Sequence, residues 1–192
     1  MPDRDTPLSH ERAPVRLFVS QPYLRVDNAE LAIAFYSAAF NAHLVVKLIE
    51  PGGRVAHAEL RMGTHGEASL MLSDEYPENN LLGPNARGGS TVAMQLYVDN
   101  VDAVCDRVRA AGGTVMKPPT VDRFGDRGIK VVDPCGHEWL VSERIETISP
   151  EEMQSRFNKN LRNSEHQTRT LLSTRSFIGA RAPSWCDMRL SN

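Results

Sequence analysis

The sequence predicts an α+β protein: two βαβββ modules forming a curved mixed sheet around a cleft, with the helices outside. Three observations lead there. Leu24-Arg25-Val26-Asp27-Asn28 returns as Leu96-Tyr97-Val98-Asp99-Asn100, and Ala38-Ala39 returns as Ala110-Ala111, both displaced by 72 positions, so one module is written twice. Each copy opens with period-2 alternation and continues into an apolar stripe of helical spacing. Between the copies, residues 76–90 are crowded with proline, glycine and asparagine and show no periodicity, which marks a linker.

In the first copy, residues 20–26 alternate, with Gln21, Tyr23 and Arg25 on one side and Pro22, Leu24 and Val26 on the other, as in a half-buried strand. Asp27 or Asn28 then caps a helix whose stripe is Leu31, Ile33, Ala34, Phe35, Ala38 and Ala39, ended by Asn41. Strands follow over 44–49, 54–62 and 68–73, the first two joined by the Pro51-Gly52-Gly53 turn. The second copy repeats the order: a strand over 91–98, a helix over 101–111 stopped by Gly112-Gly113, a short strand at 114–116, then strands over 128–132 and 138–143 around an Asp133-Pro134-Cys135-Gly136 turn. The repeat ends before residue 148. Ser149-Pro150-Glu151-Glu152 is a helix start, with Ser149 as N-cap and Pro150 in the first turn, and the helix is expected to reach about residue 161.

The expected organisation is a flexible N-terminal lead over 1–17, a domain over 18–148 made of modules 18–75 and 91–148, a C-terminal helix over 149–161 and a poorly ordered, basic tail over 162–192. Lys plus Arg number 22 against 24 Asp plus Glu, a net charge of −2, so no global field favours nucleic acid or an anionic membrane. The 3 cysteines are Cys105, Cys135 and Cys186, far apart and without a CxxC pair. That pattern argues against a disulfide framework and for a reducing, cytoplasmic setting. No G-x-G-x-x-G after a strand, Walker sequence or G-x-S-x-G is present, which leaves dinucleotide, phosphate-loop and serine-hydrolase chemistry without support.

An ordered series of short motifs carries a resemblance. Gln21-Pro-Tyr-Leu-Arg-Val-Asp, Ala34-Phe35-Tyr36, His57-Ala58-Glu59-Leu60, Phe124-Gly125-Asp126-Arg127, Asp133-Pro-Cys-Gly-His-Glu-Trp139 and Ser149-Pro-Glu-Glu-Met153 together resemble the vicinal oxygen chelate superfamily. Within it they resemble the PhnB-like branch of the glyoxalase and bleomycin-resistance group. The resemblance implies paired βαβββ modules curling around a shared cleft, often within a dimer. It also implies where a metal would be held: at the start of each module's first strand and within its last strand. Those positions are Gln21 and Met71 in the first copy, Ala93 and Leu140 in the second. One amide and one thioether do not suit a hard or borderline cation, so neither a metal nor another cofactor is expected.

The cleft is instead expected to be polar and aromatic. Alternation places Tyr23 and Arg25 beside Gln21, with Gln95 and Tyr97 on the matching strand, while His57, Glu59 and Arg61 share the face opposite the helix. Phe124 stands at the cleft mouth as a wall or gate, unless Asp126-Arg127 serves only a local turn. In the functional reading, Arg25 or Arg61 binds an anionic or carbonyl-bearing small molecule, the tyrosines stack, and His57 or Glu59 moves a proton. In the bland one, Arg25, Glu59 and Arg61 neutralise one another across the strands. Two other readings stay open. One is a lyase, isomerase or dioxygenase with an unconventional metal site at His57 and Glu59, with His65 or His137 as third ligand. The other is a regulatory or scaffold protein acting through its tail.

Overall fold

A computed structural model describes residues 20–63 and 68–161. The lead, the tail and His65 lie outside these residues. The elements run β1 (Tyr23–Val26), α1 (Ala29–Phe40), β2 (His43–Ile49), β3 (Val55–Met62), β4 (Ala68–Asp74), a 3-10 turn (Pro77–Asn79), the single-turn helix α2 (Pro84–Arg87), β5 (Ala93–Tyr97), α3 (Val101–Ala110), β6 (Thr114–Val121), β7 (Asp126–Val132) and β8 (Glu138–Arg144). A last helix, α4, covers residues 150–161. The chain is thus α+β, built from two βαβββ modules. Each closes its own four-stranded mixed sheet, in order β1-β4-β3-β2 (sheet 1) and β5-β8-β7-β6 (sheet 2).

The duplication is visible atom by atom. Asn28 caps α1 at φ −149° and ψ 99°, its side chain accepting from the Leu31 amide; Asn100 caps α3 at φ −149° and ψ 100°, accepting from the Ala103 amide. An acid at or next to the end of each module's last strand reaches the first amide of that module's helix: Asp74 accepts from Ala29 N at 2.7 Å, Glu143 from Val101 N at 3.1 Å. A carboxylate at each helix start satisfies a donor that the helix cannot pair and complements its dipole.

β6 is longer than the expected 114–116 stretch and runs through Pro118-Pro119. It tolerates them because it is an edge strand, and the paired register skips both prolines, passing from Lys117↔Lys130 to Thr120↔Gly128. The linker, expected as pure turn, also contains the 3-10 turn and α2.

One core joins the modules. Phe35, Tyr36 and Phe40 of α1 are buried, and Trp139 of β8 lies 5.4 Å from Tyr36 and 4.9 Å from Phe40, ring centre to ring centre. Aromatic pairs at these distances add to the gain from burial alone. Leu24, Leu60, Leu72 and Val26 of sheet 1, and Ile129, Val131 and Val141 of sheet 2, fill the same core. Each sheet therefore spends one face on the helices and leaves the other open. The residues expected to line the cleft from their strands stand on those open faces.

Candidate functional site

Strand register arranges the open face of sheet 1 as a grid. Tyr23 and Glu59 both pair with Met71, Arg25 pairs with Ser73, and Arg61 pairs with Ser69. Gln21 donates its amide to the Ser69 hydroxyl, and Arg25 donates Nη1 to the Ser73 hydroxyl. The Tyr23 hydroxyl lies 3.0 Å from His57 Nδ1, and His57 Nε2 lies 3.1 Å from Glu59 Oε1. The Arg25 guanidinium sits over the Tyr23 ring, 4.7 Å from its centre. Of the six residues predicted from module 1, Tyr23, Arg25, His57 and Glu59 are thus linked to one another, while Gln21 bonds Ser69 and Arg61 stands on the same strand face as Glu59.

The expectation that Arg25, Glu59 and Arg61 neutralise one another is corrected. Glu59 is engaged by His57, Arg25 by a hydroxyl and a π face, and Arg61 by no charged or polar group among the described residues. Strand alternation sets the face a side chain takes, but the partner depends on reach across the neighbouring strand, and here Tyr23 and Ser73 intercept the charges first.

The second module carries the other three predicted residues, Gln95 and Tyr97 on β5 and Phe124 in the loop between β6 and β7. Gln95, Tyr97 and Phe124 line a cavity of about 380 Å³ made by the second module together with Met153 of α4. Gln95 donates to the Ser142 hydroxyl at 2.9 Å. Tyr97 donates to Asp126 Oδ2 at 3.0 Å and accepts from Arg144 Nη2 at 2.7 Å, while Arg144 Nε binds Asp126 Oδ1. The Asp126 and Tyr97 hydrogen bonds hold the Arg144 guanidinium even more firmly protonated than usual. Asp126, Arg144, Lys117 and Met153 were not anticipated as site residues. Asp126 and Arg144 sit at paired register positions, which a sequence without strand boundaries does not disclose.

The Phe124 loop is both a wall and a built turn. Asp122 Oδ1 accepts from the amides of Phe124 and Asp126, at 2.7 and 3.1 Å. Gly125, at φ +89°, presents its carbonyl to the amides of Ile145 and Glu146, and a Cβ there would stand 2.5 Å from the Glu146 oxygen. Arg123 extends from this loop over the rings of Phe124 and Phe157, at 5.4 and 5.7 Å. Arg156 grips Glu146 with both terminal nitrogens, at 2.8 and 2.7 Å. These contacts seat α4 at the edge of the cavity.

The metal positions implied by the resemblance do not fit an ion. Gln21 and Met71, with Ala93 and Leu140, offer one amide and one thioether, and no group of three or more His, Cys, Asp or Glu suited to a metal occurs among the described residues. His137, one of two candidate third ligands, is buried with Nε2 at 3.0 Å from the Arg25 carbonyl, a structural bond between the modules. Cys135 is buried, and burial, then the neighbouring Asp27, push its thiol pKa up and disfavour the thiolate.

Two copies of βαβββ, each with an open face set with polar and aromatic side chains, define an α+β protein made by duplication. The chain belongs to the Glyoxalase/Bleomycin resistance protein/Dioxygenase superfamily, whose family model matches residues 18–141. The protein Rv0887c of Mycobacterium tuberculosis is 34% identical over 137 residues, covering 70% of this chain and 79% of that one. The solved structure of PA1353 from Pseudomonas aeruginosa superposes with a TM-score of 0.54 at 24% identity, covering 67% and 98% of the two chains. The fosfomycin resistance protein FosX from Listeria monocytogenes gives 0.53 at 16% identity, covering 71% and 97%. Both structures share the fold.

Proposed function

We propose that this is a small-molecule-binding protein of the glyoxalase and bleomycin-resistance type, in its PhnB-like branch, which holds a polar or anionic ligand in the cleft between modules without a metal. The observation that carries the reading is the state of Arg25 and Arg61. Both are cations on an open face, and neither has a carboxylate partner among the described residues. An unneutralised guanidinium beside aromatic and hydroxyl groups is suited to a carboxylate or phosphonate.

Both sheets back onto one core, so in a single chain each presents its open face to solvent. A homodimer that lays sheet 2 of a second copy over sheet 1 would enclose Gln21, Tyr23, Arg25, His57, Glu59 and Arg61 opposite Gln95, Tyr97 and Phe124. Tyr23 and Tyr97 are 43% and 52% exposed, which leaves room for such a lining.

Melting of metal-free protein with small carboxylates and phosphonates tests the binding, with light scattering to give the mass. A melting temperature that climbs with concentration, as mass action requires, and that fails to climb in Arg25→Met and Arg61→Met supports it. No shift with any probe refutes it, and a monomeric mass refutes the shared cleft.

A further inference from the structure

Tyr23, His57 and Glu59 form a single hydrogen-bonded chain drawn from two strands that are not neighbours, since β4 lies between β1 and β3. Its polarity follows from elementary chemistry. A neutral imidazole has one N–H, and the nitrogen facing a carboxylate must carry it, so Nε2–H donates to Glu59 and Nδ1 keeps the lone pair that accepts from Tyr23. Hydroxyl, imidazole and orienting carboxylate in this order are the parts of a general-base relay. The Arg25 guanidinium over the Tyr23 ring favours the partial negative charge that builds on the phenol oxygen as its proton moves toward His57.

The duplicated module shows that the fold does not need this chain. By the repeat and the matching strand register, Gln95 holds the place of Tyr23, Gly128 that of His57 and Lys130 that of Glu59. Sheet 2 closes with the same topology without it.

Resting on the anion-binding reading above, we propose that Tyr23, His57 and Glu59 are a metal-independent proton relay acting on a carboxylate-bearing carbon acid held by Arg25 and Arg61. A phenolate or imidazole base needs a C–H acidified by an adjacent carbonyl, which points to 2-oxo acids as the substrate class. The substrate C–H proton passes to Tyr23 Oη as the tyrosine proton passes to His57 Nδ1. The tyrosine stays neutral, the imidazolium is balanced by Glu59, and the substrate is left as an enolate with its electron pair on the carbonyl oxygen. Return of a proton to carbon restores the resting chain, with hydrogen exchanged or moved.

The probe is 2-oxobutyrate in heavy water, with loss of its methylene proton signal followed by NMR on the dimer or monomer as purified. The expected result is exchange above the buffer rate, lowered roughly 100-fold or more in Tyr23→Phe and His57→Gln. The nitrogen shifts of His57 supply a readout that a structural role would not move: Nε2 protonated and Nδ1 bare in the wild type, with only Nδ1 displaced in Tyr23→Phe. Binding of 2-oxobutyrate, seen by saturation transfer, without exchange overturns the relay and leaves the binding reading standing. Neither binding nor exchange overturns the relay and counts against the anion reading as well. A His57 protonated at Nδ1 overturns the relay alone.

Discussion

The hydroxyl of Tyr36 donates to Asp133 Oδ2 at 2.6 Å, joining the helix of the first module to a hairpin of the second across 97 positions of sequence. Asp133 is saturated. The same oxygen accepts from Trp139 Nε1 at 3.0 Å, and Oδ1 accepts from the amides of Cys135 and His137 at 3.0 and 2.9 Å. All four donors need an oxygen, so an amide cannot replace the carboxylate. Asp133→Asn is expected to cost about 3 kcal/mol in urea unfolding, because an NH2 then faces two donors. Tyr36→Phe, which removes one donor and leaves the others paired, is expected to cost about 1 kcal/mol.

The same contact sets an alkaline limit. Burial first, and then the Asp133 charge, raise the pKa of Tyr36 well above the ordinary tyrosine value. A group raised in the folded state contributes its stability in full below the unfolded pKa and loses it as pH climbs toward the folded one. Above about pH 10 the wild type is therefore expected to lose up to about 1.4 kcal/mol of stability per pH unit more than Tyr36→Phe does. Parallel slopes for the two proteins in urea unfolding would show that Tyr36 ionises freely.

What the sequence disclosed follows from where its signal is local. The repeat, a cap at Asn28 and the face carrying His57, Glu59 and Arg61 all depend on spacing within a few residues and are seen in the structure, which adds Asn100 as the matching cap of the second copy. Partners across strands were not legible. Nothing near Arg25 foretells Ser73, and nothing near Asp126 foretells Arg144, because each pair is fixed by the register of strands far apart in the chain. The role of Asp133 was legible only in part: it does shape its turn, but its second oxygen serves Tyr36 in the other module.

Metal content follows from the donor set. With Gln21, Met71, Ala93 and Leu140 at the family's ligand positions, protein dialysed against a weak chelator is expected to carry close to zero zinc, nickel, manganese, iron or copper per chain by elemental analysis. A strong chelator should leave its melting temperature unchanged, since no binding energy to the folded state would be withdrawn. A retained ion lost in His57→Ala or Glu59→Ala would instead move the chemistry to those two residues.

Helix α4 is held to the sheet 2 cavity by exposed contacts, which makes it separable from the fold. Arg123 between two aromatic rings and Arg156 on Glu146 are surface interactions that solvent screens. Met153 nevertheless lines the cavity, so losing the helix would open it. Phe157→Ala and Arg156→Met are expected to leave the global unfolding midpoint nearly unchanged while removing amide protection from residues 150–161 in hydrogen exchange. Acid should do the same. The hydrogen bond from Arg156 holds the Glu146 carboxyl below the usual range, so its contribution is complete above that range and fades as pH falls through the lowered value. Protection of α4 should therefore vanish on acidification before the sheets unfold in the wild type, whereas in Arg156→Met it is already lost at neutral pH. If α4 instead keeps its protection until the whole domain unfolds in both proteins, the helix is part of the core unit, and the cavity it borders does not open on its own.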